Sequence, residues 1–177
     1  PVYLAAALAI KLTSPGPVFF KQERMGLHGR RFMLLKFRTM KIGAERELSR
    51  VDNLEQMTSP EFKNKKLQYI TPVGRLLRKF SIDEFPQFFN VLAGDMSIVG
   101  PRPTVPGEVE KYEIWQRRRF SMKPGLTCLW QISGRNEINH SDWMKLDLEY
   151  IDNFSFWLDI SIMLKTIPAV VLGKGAY

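Results

Sequence analysis

The chain has very few of the residues that form disulfide frameworks and transition-metal sites. Its 177 residues include one cysteine, Cys128, and two histidines. An intrachain disulfide is therefore excluded, which fits a reducing compartment, and no cluster of His and Cys with metal-ligand spacing is present. The sequence also lacks a P-loop, a Rossmann glycine pattern and internal repeats, so it carries none of the common signatures of nucleotide-binding enzymes or solenoids.

Long uninterrupted apolar runs are missing as well. Residues 1–12 have the pattern of a helix with proline in its first turn, but they fall far short of the ~20 residues that span a bilayer. Residues 154–172 are mostly apolar and are interrupted by Asp159, Lys165 and Pro168. Two interpretations of both segments stay open at this point: helices of a protein core, or helices that contact a membrane without crossing it.

The net charge of +8 is distributed unevenly along the chain. Residues 1–80 contain 16 Lys and Arg against six acidic residues, whereas residues 81–177 contain 10 against 12. A basic first half suits anionic lipid headgroups, phosphate-rich substrates or nucleic acid. At this length the chain is expected to form one domain with a hydrophobic core.

Residues 81–103 are the most informative stretch. Ser81 and Glu84 match a capping box before an apolar run, which predicts a helix that starts near Asp83. Pro86 fits this helix better if Asp83, rather than Ser81, is the N-cap. In either case the free N–H groups and the dipole of the helix favour an ionised Asp83 carboxylate. Apolar residues at helical spacing are expected to form the buried side of the helix: Phe85, Phe88, Phe89 and Leu92.

A stiff turn follows this helix. In the sequence Val-Gly-Pro-Arg-Pro, at residues 99–103, two prolines restrict the backbone on both sides of Arg102. An arginine held near an acidic pair can bind phosphate oxygens while the carboxylates serve metal binding and chemistry. The alternative is a capped helix and a structural turn with no further role, since acids at helix starts are common.

A β-hairpin is predicted near the start of the chain. Its strands are Val18–Glu23 and Phe32–Arg38, joined by a connection that contains glycine. Because side chains alternate along a strand, Lys36 and Arg38 are expected on one face, which is either solvated or binds phosphate.

Helical and loop patterns occupy the remainder of the first half. Residues 43–57 are predicted to be a polar helix, and residues 58–70 a mobile basic loop. Thr71-Pro72 begins another helix, whose basic end at Arg78 and Lys79 lies a few residues from Asp83.

The second half adds further short elements to an α+β fold. A helix is predicted at residues 107–120, and its arginines at 117–119 are expected on a face that is solvated or, on a membrane-associated protein, meets anionic lipid. Leu126–Ile132 has a strand pattern, residues 133–136 form a polar loop suited to a nucleotide or sugar, and residues 141–153 are predicted to be a helix.

Seven runs of the sequence carry a resemblance to a known family. They are Ile-Lys-Leu-x-Ser-x-Gly-Pro-Val-Phe-Phe (10–20), Lys-Phe-Arg-Thr-Met (36–40), Leu-Leu-Arg-Lys-Phe-Ser-Ile-Asp-Glu-Phe-Pro-Gln (76–87), Gly-Asp-Met-Ser-Ile-Val-Gly-Pro-Arg-Pro (94–103), Lys-Pro-Gly-Leu-Thr (123–127), Gln-Ile-Ser-Gly-Arg-Asn (131–136) and Gly-Lys-Gly-Ala-Tyr (173–177). The chain resembles the bacterial sugar transferases, also called monotopic phosphoglycosyl transferases. The runs cover nearly the whole chain in order and are together highly specific.

The resemblance implies a small mixed α+β domain with a short β-hairpin, several helices, a re-entrant membrane helix and interfacial helices. Residues 1–12 would be the second half of the re-entrant helix, whose first half is expected to be missing from the sequence. Residues 13–177 would be the catalytic domain on the cytoplasmic side of the bacterial inner membrane, with an interfacial helix at residues 154–172.

The family chemistry implies that Asp83 attacks the β-phosphate of a UDP-sugar, expels UMP and carries the sugar phosphate until undecaprenyl phosphate accepts it. Glucose or galactose 1-phosphate is the expected group, because the tail and length resemble the hexose-transferring members. Glu84 is the implied ligand of Mg²⁺. Phosphate or substrate contacts are expected for Arg102, Arg78, Lys36, Arg38, Gln131, Arg135 and Asn136.

The expected partners are a UDP-sugar, undecaprenyl phosphate and membrane lipids rather than nucleic acid, and a homo-oligomer is left open. A non-catalytic module that binds anionic lipid or nucleic acid through the basic half is the alternative, and its binding would survive loss of Asp83. A glycosidase fits poorly, because adjacent acids at a helix start point in different directions, whereas glycosidases need carboxyls that face each other across a sugar.

Overall fold

The computed structural model describes residues 1–48, 60–133 and 140–172. Its helices are α1 (Val2–Thr13), α2 (Ala44–Leu48), α3 (Pro60–Tyr69), α4 (Pro72–Lys79), α5 (Gln87–Leu92), α6 (Pro106–Val109), α7 (Leu129–Ile132), α8 (His140–Asp152) and α9 (Phe156–Val171). Its strands are β1 (Phe19–Met25), β2 (Arg31–Phe37), β3 (Ser97–Val99) and β4 (Gly125–Thr127). Short 3-10 helices occur at Leu27–Gly29, Ile82–Glu84 and Ile114–Ser121.

The predicted β-hairpin is confirmed, and with it the α+β class. β1 and β2 are antiparallel, with Phe20 opposite Lys36 and Gln22 opposite Leu34. Because side chains alternate, Gln22, Arg24 and Lys36 share one face of the hairpin. Phe37 points to the other face, where it is buried.

Two hydrophobic clusters lie on different elements. One joins α1, β2 and α4 through Ala6, Ile10, Phe37 and Leu77. The other joins β3, α8 and α9 through Val99, Tyr150 and Ile162. β3 pairs in parallel with β4, so Val99 lies beside Thr127 and connects the Pro-Arg-Pro turn to the second cluster.

Several boundaries differ from those predicted. The prediction of a mobile loop at residues 58–70 is wrong, because the chain forms α3 from Pro60 onward. A proline at the first position and Glu, Lys, Gln and Leu after it favour a helix. Residues 58 and 59 lie outside the described ranges. The helix at 107–120 is two shorter pieces, α6 and the 3-10 helix Ile114–Ser121. The strand at Leu126–Ile132 stops at Thr127 and continues as α7, because a short apolar run fits either structure.

The capping box at Ser81 is also wrong. Ser81 has a φ of 53°, in the left-handed region, and its side chain caps no N–H group. The chain forms the 3-10 turn Ile82–Glu84 and begins α5 only after Pro86. Pro86 thus separates the two pieces, since it cannot donate a hydrogen bond inside a continuous helix.

α5 is oriented opposite to the prediction. Gln87 and Asn90 are buried, with 3% and 4% of their surfaces exposed, whereas Phe88, Phe89 and Leu92 are exposed. The Asn90 amide explains this orientation: its Oδ1 accepts from the Leu35 N–H at 3.0 Å, and its Nδ2 donates to the Met33 carbonyl at 2.8 Å. These bonds satisfy β2 backbone groups that face α5, so the polar side of the helix packs inward.

The terminal helices leave much apolar surface uncovered. α1 exposes Leu4, Leu8 and Leu12, and α9 exposes several large side chains, among them Phe156, Trp157, Leu164, Ile167 and Val171. Within residues 1–48, 60–133 and 140–172, no helix combines the length and apolar character that crossing a bilayer requires. The division of the chain at residue 12 stays a prediction.

Gly74 is expected to be intolerant of any side chain. A Cβ at this position of α4 would lie 2.1 Å from the Thr39 carbonyl oxygen, which accepts a hydrogen bond from the Thr71 N–H. Gly74→Ala should therefore lower the free energy of unfolding by about 2 kcal/mol or more, although alanine favours helices. Chemical denaturation measures this loss. The matched control is Gly107→Ala in α6, where a Cβ meets no atom within 4 Å, and it should not destabilise the protein; equal effects at both sites would contradict the packing argument.

Candidate active site

The turn between α4 and α5 holds two acidic side chains against the hairpin. Asp83 is buried, with 8% of its surface exposed, and its neighbour Glu84 forms an ion pair with Lys36 of β2 at 2.5 Å. The left-handed backbone of Ser81 directs the chain back toward β2, which brings the two acids onto the hairpin face that carries Lys36.

A second cation reaches the same turn from α4. Arg78 donates from Nε to Thr39 Oγ1 at 2.8 Å. Burial lowers the pKa of Arg78, and the charges of Asp83 and Glu84 oppose that effect. We call Lys36, Arg78, Asp83 and Glu84 the Asp83 cluster. The structure thus brings together four of the residues predicted to form the site.

The Asp83 carboxyl is not held at low pKa. Burial, followed by repulsion from Glu84, raises its pKa to about 6, while Lys36 and Arg78 act in the opposite direction. The raised pKa opposes the expected effect of a helix start, because the acid lies in a three-residue turn and not at the end of a long helix dipole. With a pKa of about 6 the carboxyl is still mostly ionised at pH 7, as expected. A buried carboxyl that titrates near neutrality beside two cations is typical of catalytic acids and nucleophiles.

Arg102 lies between aromatic rings. Its guanidinium carbon is 5.0 Å from the ring centre of Trp130 and 5.5 Å from that of Trp143, so both indoles make cation–π contacts with it. The Arg102 N–H points to Asp147 Oδ2 at 3.4 Å, and its carbonyl accepts from Arg119 Nη2 at 2.9 Å. The Pro-Arg-Pro turn is therefore held by contacts from the second half of the chain.

Arg24 connects these two parts of the site and was not predicted. Its Nη1 donates to the Pro103 carbonyl at 2.9 Å, and its Nη2 donates to Gln22 Oε1 at 2.5 Å. Burial, then the charge of Arg102, lowers the pKa of Arg24 to about 10, while the charge of Glu84 raises it. Arg24 thus interacts with both the Asp83 cluster and Arg102. Strand alternation was the signal that could have found it, since Arg24 shares its face with Lys36.

Arg119 and Asp147 form a second buried pair that the sequence argument missed. They lie 2.5 Å apart, with side-chain exposures of 2% and 0%. The solvated face expected for Arg117–Arg119 is therefore wrong at Arg119. Asp147 lies four residues after Trp143 and three before Tyr150, so helical spacing puts it on the same side of α8 as these two aromatic residues.

The Arg38 side chain is bonded to the loop at residues 14–17. It donates to the Pro17 carbonyl, to the Pro15 carbonyl, and to the Ser14 hydroxyl and carbonyl. These four bonds fix the loop that follows α1. A phosphate contact by Arg38 stays a prediction, and its guanidinium is largely occupied by the protein itself.

The remaining predicted contacts are less defined by the structure. Gln131 lies half-buried in α7 beside Trp130, and its Oε1 is 3.9 Å from Cys128 Sγ. Arg135 and Asn136 fall outside the described residues.

The adjacent carboxylates fit Mg²⁺ in one respect. This ion is commonly bound through one or two carboxylates together with substrate phosphates, and here Glu84 lies beside Asp83 close enough to raise its pKa. In the part of the chain that the structure describes, no group of three His, Cys, Asp or Glu side chains could hold a metal on its own. The donor set is therefore suited to a metal that arrives with a phosphate substrate.

Comparison with known proteins identifies relatives over the whole chain. A family model described as bacterial sugar transferase matches residues 1–173. The chain is 51% identical over 162 residues to galactosyl transferase CpsE of Streptococcus agalactiae and 40% identical over 181 residues to exopolysaccharide production protein ExoY of Rhizobium meliloti. It is 41% identical over 185 residues to the UDP-glucose:undecaprenyl-phosphate glucose-1-phosphate transferase of Xanthomonas campestris.

The matches cover different shares of these relatives. They include 91% of this chain and 36% of CpsE, all of this chain and 80% of ExoY, and all of this chain and 36% of the Xanthomonas protein. The chain thus spans little more than one third of the length of CpsE and of the Xanthomonas protein, and most of the length of ExoY.

Ionised Asp83 is expected to destabilise the metal-free fold. Because its pKa is raised to about 6 from 3.8, the folded state binds more protons than the unfolded state between these values, and stability falls as the pH rises through them. Asp83→Asn in the presence of EDTA should therefore raise the free energy of unfolding at pH 7 by about 1–3 kcal/mol, and the gain should shrink below pH 4. Denaturant titration at both pH values measures it. The exposed Asp152→Asn is the control; a pH-independent effect of Asp83→Asn would contradict the argument.

Proposed function

Because the chain belongs to the bacterial sugar transferase family, we propose that it transfers a sugar 1-phosphate from a UDP-sugar to undecaprenyl phosphate and releases UMP. The observation that carries this proposal is the Asp83 cluster, in which a buried carboxyl lies beside Glu84, Lys36 and Arg78. The relative ExoY is named an exopolysaccharide production protein, and this transfer would be a membrane step of such production.

The first step makes Asp83 the nucleophile. A carboxylate oxygen of Asp83 attacks the β-phosphorus, the bond from that phosphorus to the bridging oxygen breaks, and UMP leaves with the bridging oxygen. The sugar phosphate stays on Asp83 as an acyl phosphate, a mixed anhydride reactive enough to pass the group on. In the second step an oxygen of undecaprenyl phosphate attacks the same phosphorus, and the Asp83 carboxylate is released unchanged.

Cations around Asp83 would stabilise the charge that develops on the phosphates. Arg78 and Lys36 already interact with the Asp83 carboxyl, so they would lie next to a phosphoryl group bound to it. Arg102 presents a planar guanidinium that can bind two phosphate oxygens at once. Glu84 would hold Mg²⁺, which supplies positive charge to the diphosphate.

The sugar is proposed to be a hexose. CpsE is named a galactosyl transferase, and the Xanthomonas relative is named for glucose 1-phosphate. We therefore propose galactose or glucose 1-phosphate as the group transferred.

The exposed apolar side chains support contact with membrane lipid. Phe88, Phe89 and Leu92 lie on α5, the helix that follows the turn with Asp83. The centre of the Phe89 ring is 5.8 Å from that of Tyr3 in α1. α1 and α5 therefore present apolar surface beside the acidic turn, where a polyprenyl chain could remain in lipid while its phosphate reaches Asp83. We propose that α1, α5 and α9 lie at the cytoplasmic face of the bacterial inner membrane.

The covalent step predicts a burst of product. Mixed with the correct UDP-sugar and Mg²⁺, but without polyprenyl phosphate, the protein should release UMP up to one equivalent per site and gain the mass of a hexose phosphate on the peptide that contains Asp83. UMP assay and peptide mass spectrometry measure both events across a panel of UDP-sugars.

Asp83→Asn is the control for this experiment, and it should show neither event while remaining folded. If UMP appears only after lipid is added, with no adduct, a direct displacement replaces the proposed nucleophile. If lipid binding persists and no UDP-sugar releases UMP under any condition, the non-catalytic module is the better explanation.

Glu84 is expected to govern the metal dependence. Glu84→Gln removes a charged ligand but keeps the size of the side chain, so activity should fall by at least about tenfold and require more Mg²⁺ to recover. A Mg²⁺ titration of UMP release measures this shift. Glu108→Gln serves as the comparison, because Glu108 lies outside the Asp83 cluster and also acts on Arg24. A wild-type Mg²⁺ profile in Glu84→Gln would rule out the role.

A further inference from the structure

We propose that Asp147 is a positioning residue for Arg102: through Arg119 and the Arg102 N–H, it fixes the backbone from which the Arg102 guanidinium reaches the substrate diphosphate. The proposal rests on the proposed function, in which Arg102 binds phosphate. It concerns two residues, Asp147 and Arg119, to which neither the resemblance nor the comparisons assign a role.

The buried pair contacts Arg102 on both sides of its Cα atom. Asp147 Oδ2 accepts from Arg119 Nη2 at 2.5 Å and faces the Arg102 N–H at 3.4 Å. The same Nη2 donates to the Arg102 carbonyl at 2.9 Å, while Nη1 donates to the Tyr112 hydroxyl at 2.9 Å. One ion pair therefore engages both the peptide before Arg102 and the peptide after it.

The two prolines leave a need for this engagement. Pro101 and Pro103 fix their own φ angles and have no N–H to donate. They restrict the neighbouring backbone, but torsional freedom remains at Arg102, whose side chain must be aimed. Hydrogen bonds to the N–H and the carbonyl of Arg102 restrict this freedom directly. Bonds from the Gly125 N–H and from Arg24 hold the Pro101 and Pro103 carbonyls on either side.

Helix α8 supplies both the carboxylate and an aromatic ring. Trp143 lies four residues before Asp147, one turn along the helix, and its ring contacts the guanidinium groups of Arg102 and Arg119 at 5.5 and 5.1 Å. The same face of α8 thus contacts both the backbone and the side chain of Arg102. A shift of that face would move both.

The pair is poorly suited to a purely stabilising role. Both charges lose their hydration on burial, and such pairs are often no more stable than apolar residues of similar volume. Among the residues that the structure describes, the second oxygen of Asp147, Oδ1, is buried without a hydrogen-bond partner. The carboxylate therefore carries an unsatisfied oxygen, while its other oxygen accepts from Arg119 and faces the Arg102 N–H.

The chain offers an internal control for this ion pair. Arg118, the neighbour of Arg119, forms an ion pair with Asp152 on the next turns of α8, and both of these side chains are exposed. Asp152→Asn removes a bridge between the same two elements without touching Arg102. It should leave both readouts described below unchanged.

A double-mutant cycle tests the proposal. Asp147→Asn should lower kcat/KM for UMP release by about tenfold to a hundredfold, as expected for a misplaced binding group. In the Arg102→Ala background, where there is no guanidinium to place, the same substitution should cost less than about twofold. Additive losses in the two backgrounds would show that Asp147 acts on the fold in general and would overturn the proposal.

A second readout does not depend on activity. With Trp115 and Trp157 replaced by Phe, the remaining tryptophans are Trp130 and Trp143, the two that contact Arg102. Asp147→Asn should change their fluorescence in the presence of Arg102 and change it much less in Arg102→Ala. If the wild type releases no UMP, the proposed function fails, while this fluorescence cycle still decides the positioning role. Equal fluorescence changes with Arg102 and with Arg102→Ala would reject the positioning role.

A conservative variant covers the case in which Asp147→Asn does not fold. Arg119→Lys keeps the positive charge beside Asp147, but a single ammonium cannot reproduce the planar contacts with Tyr112, Asp147 and the Arg102 carbonyl. It should give the same dependence on Arg102 in both readouts. Full activity and unchanged fluorescence in Arg119→Lys would contradict the proposed path from Asp147 to Arg102.

Discussion

The ion pair between Lys36 and Glu84 is the contact on which the geometry of the site depends. It joins the hairpin to the turn after α4, and Asp83 is the residue next to Glu84 in that turn. Once the turn lies against the hairpin, Asp83 is buried, and its pKa rises toward neutrality. Burial and Glu84 favour the neutral carboxyl, whereas the neighbouring cations Lys36 and Arg78 favour the ionised form.

The face of the hairpin that holds Glu84 also reaches the Pro-Arg-Pro turn. Arg24 lies on the same face as Lys36, and its bond to the Pro103 carbonyl ties the hairpin to the turn that carries Arg102. Burial lowers the pKa of Arg24, and repulsion from Arg102 lowers it further. A bound diphosphate would relieve this repulsion between Arg24 and Arg102. The positive charge that favours its binding is therefore already present in the protein without substrate.

Local patterns predicted several elements whose sequence signals lie within a short window. The hairpin, α1, α4, α8 and α9 follow from strand alternation, helical spacing and the Thr71-Pro72 helix start. Two other predictions failed because a distant partner decides. Asn90 turns α5 around because it bonds the backbone of β2, 55 and 57 residues away, and Arg119 is buried because Asp147, 28 residues later, meets it. Neither partner is visible within a window of one helix.

The reversal of α5 has a consequence for how two unlike substrates meet at one carboxyl. With Gln87 and Asn90 against the hairpin, the polar, cationic side of the site lies toward β2, and Phe88, Phe89 and Leu92 face outward. Tyr3 continues that apolar side, because its hydroxyl donates to the Phe85 carbonyl at 2.6 Å and its ring contacts Phe89. Asp83 precedes this boundary by a few residues. Under the proposed function, a charged nucleotide would approach from the hairpin side and a lipid phosphate from the apolar side, so that each displacement at phosphorus draws its substrate from the phase in which that substrate is soluble. Had Phe88, Phe89 and Leu92 been buried as their spacing predicts, α5 would present its polar side to solvent, and the apolar surface beside the acid would be limited to α1.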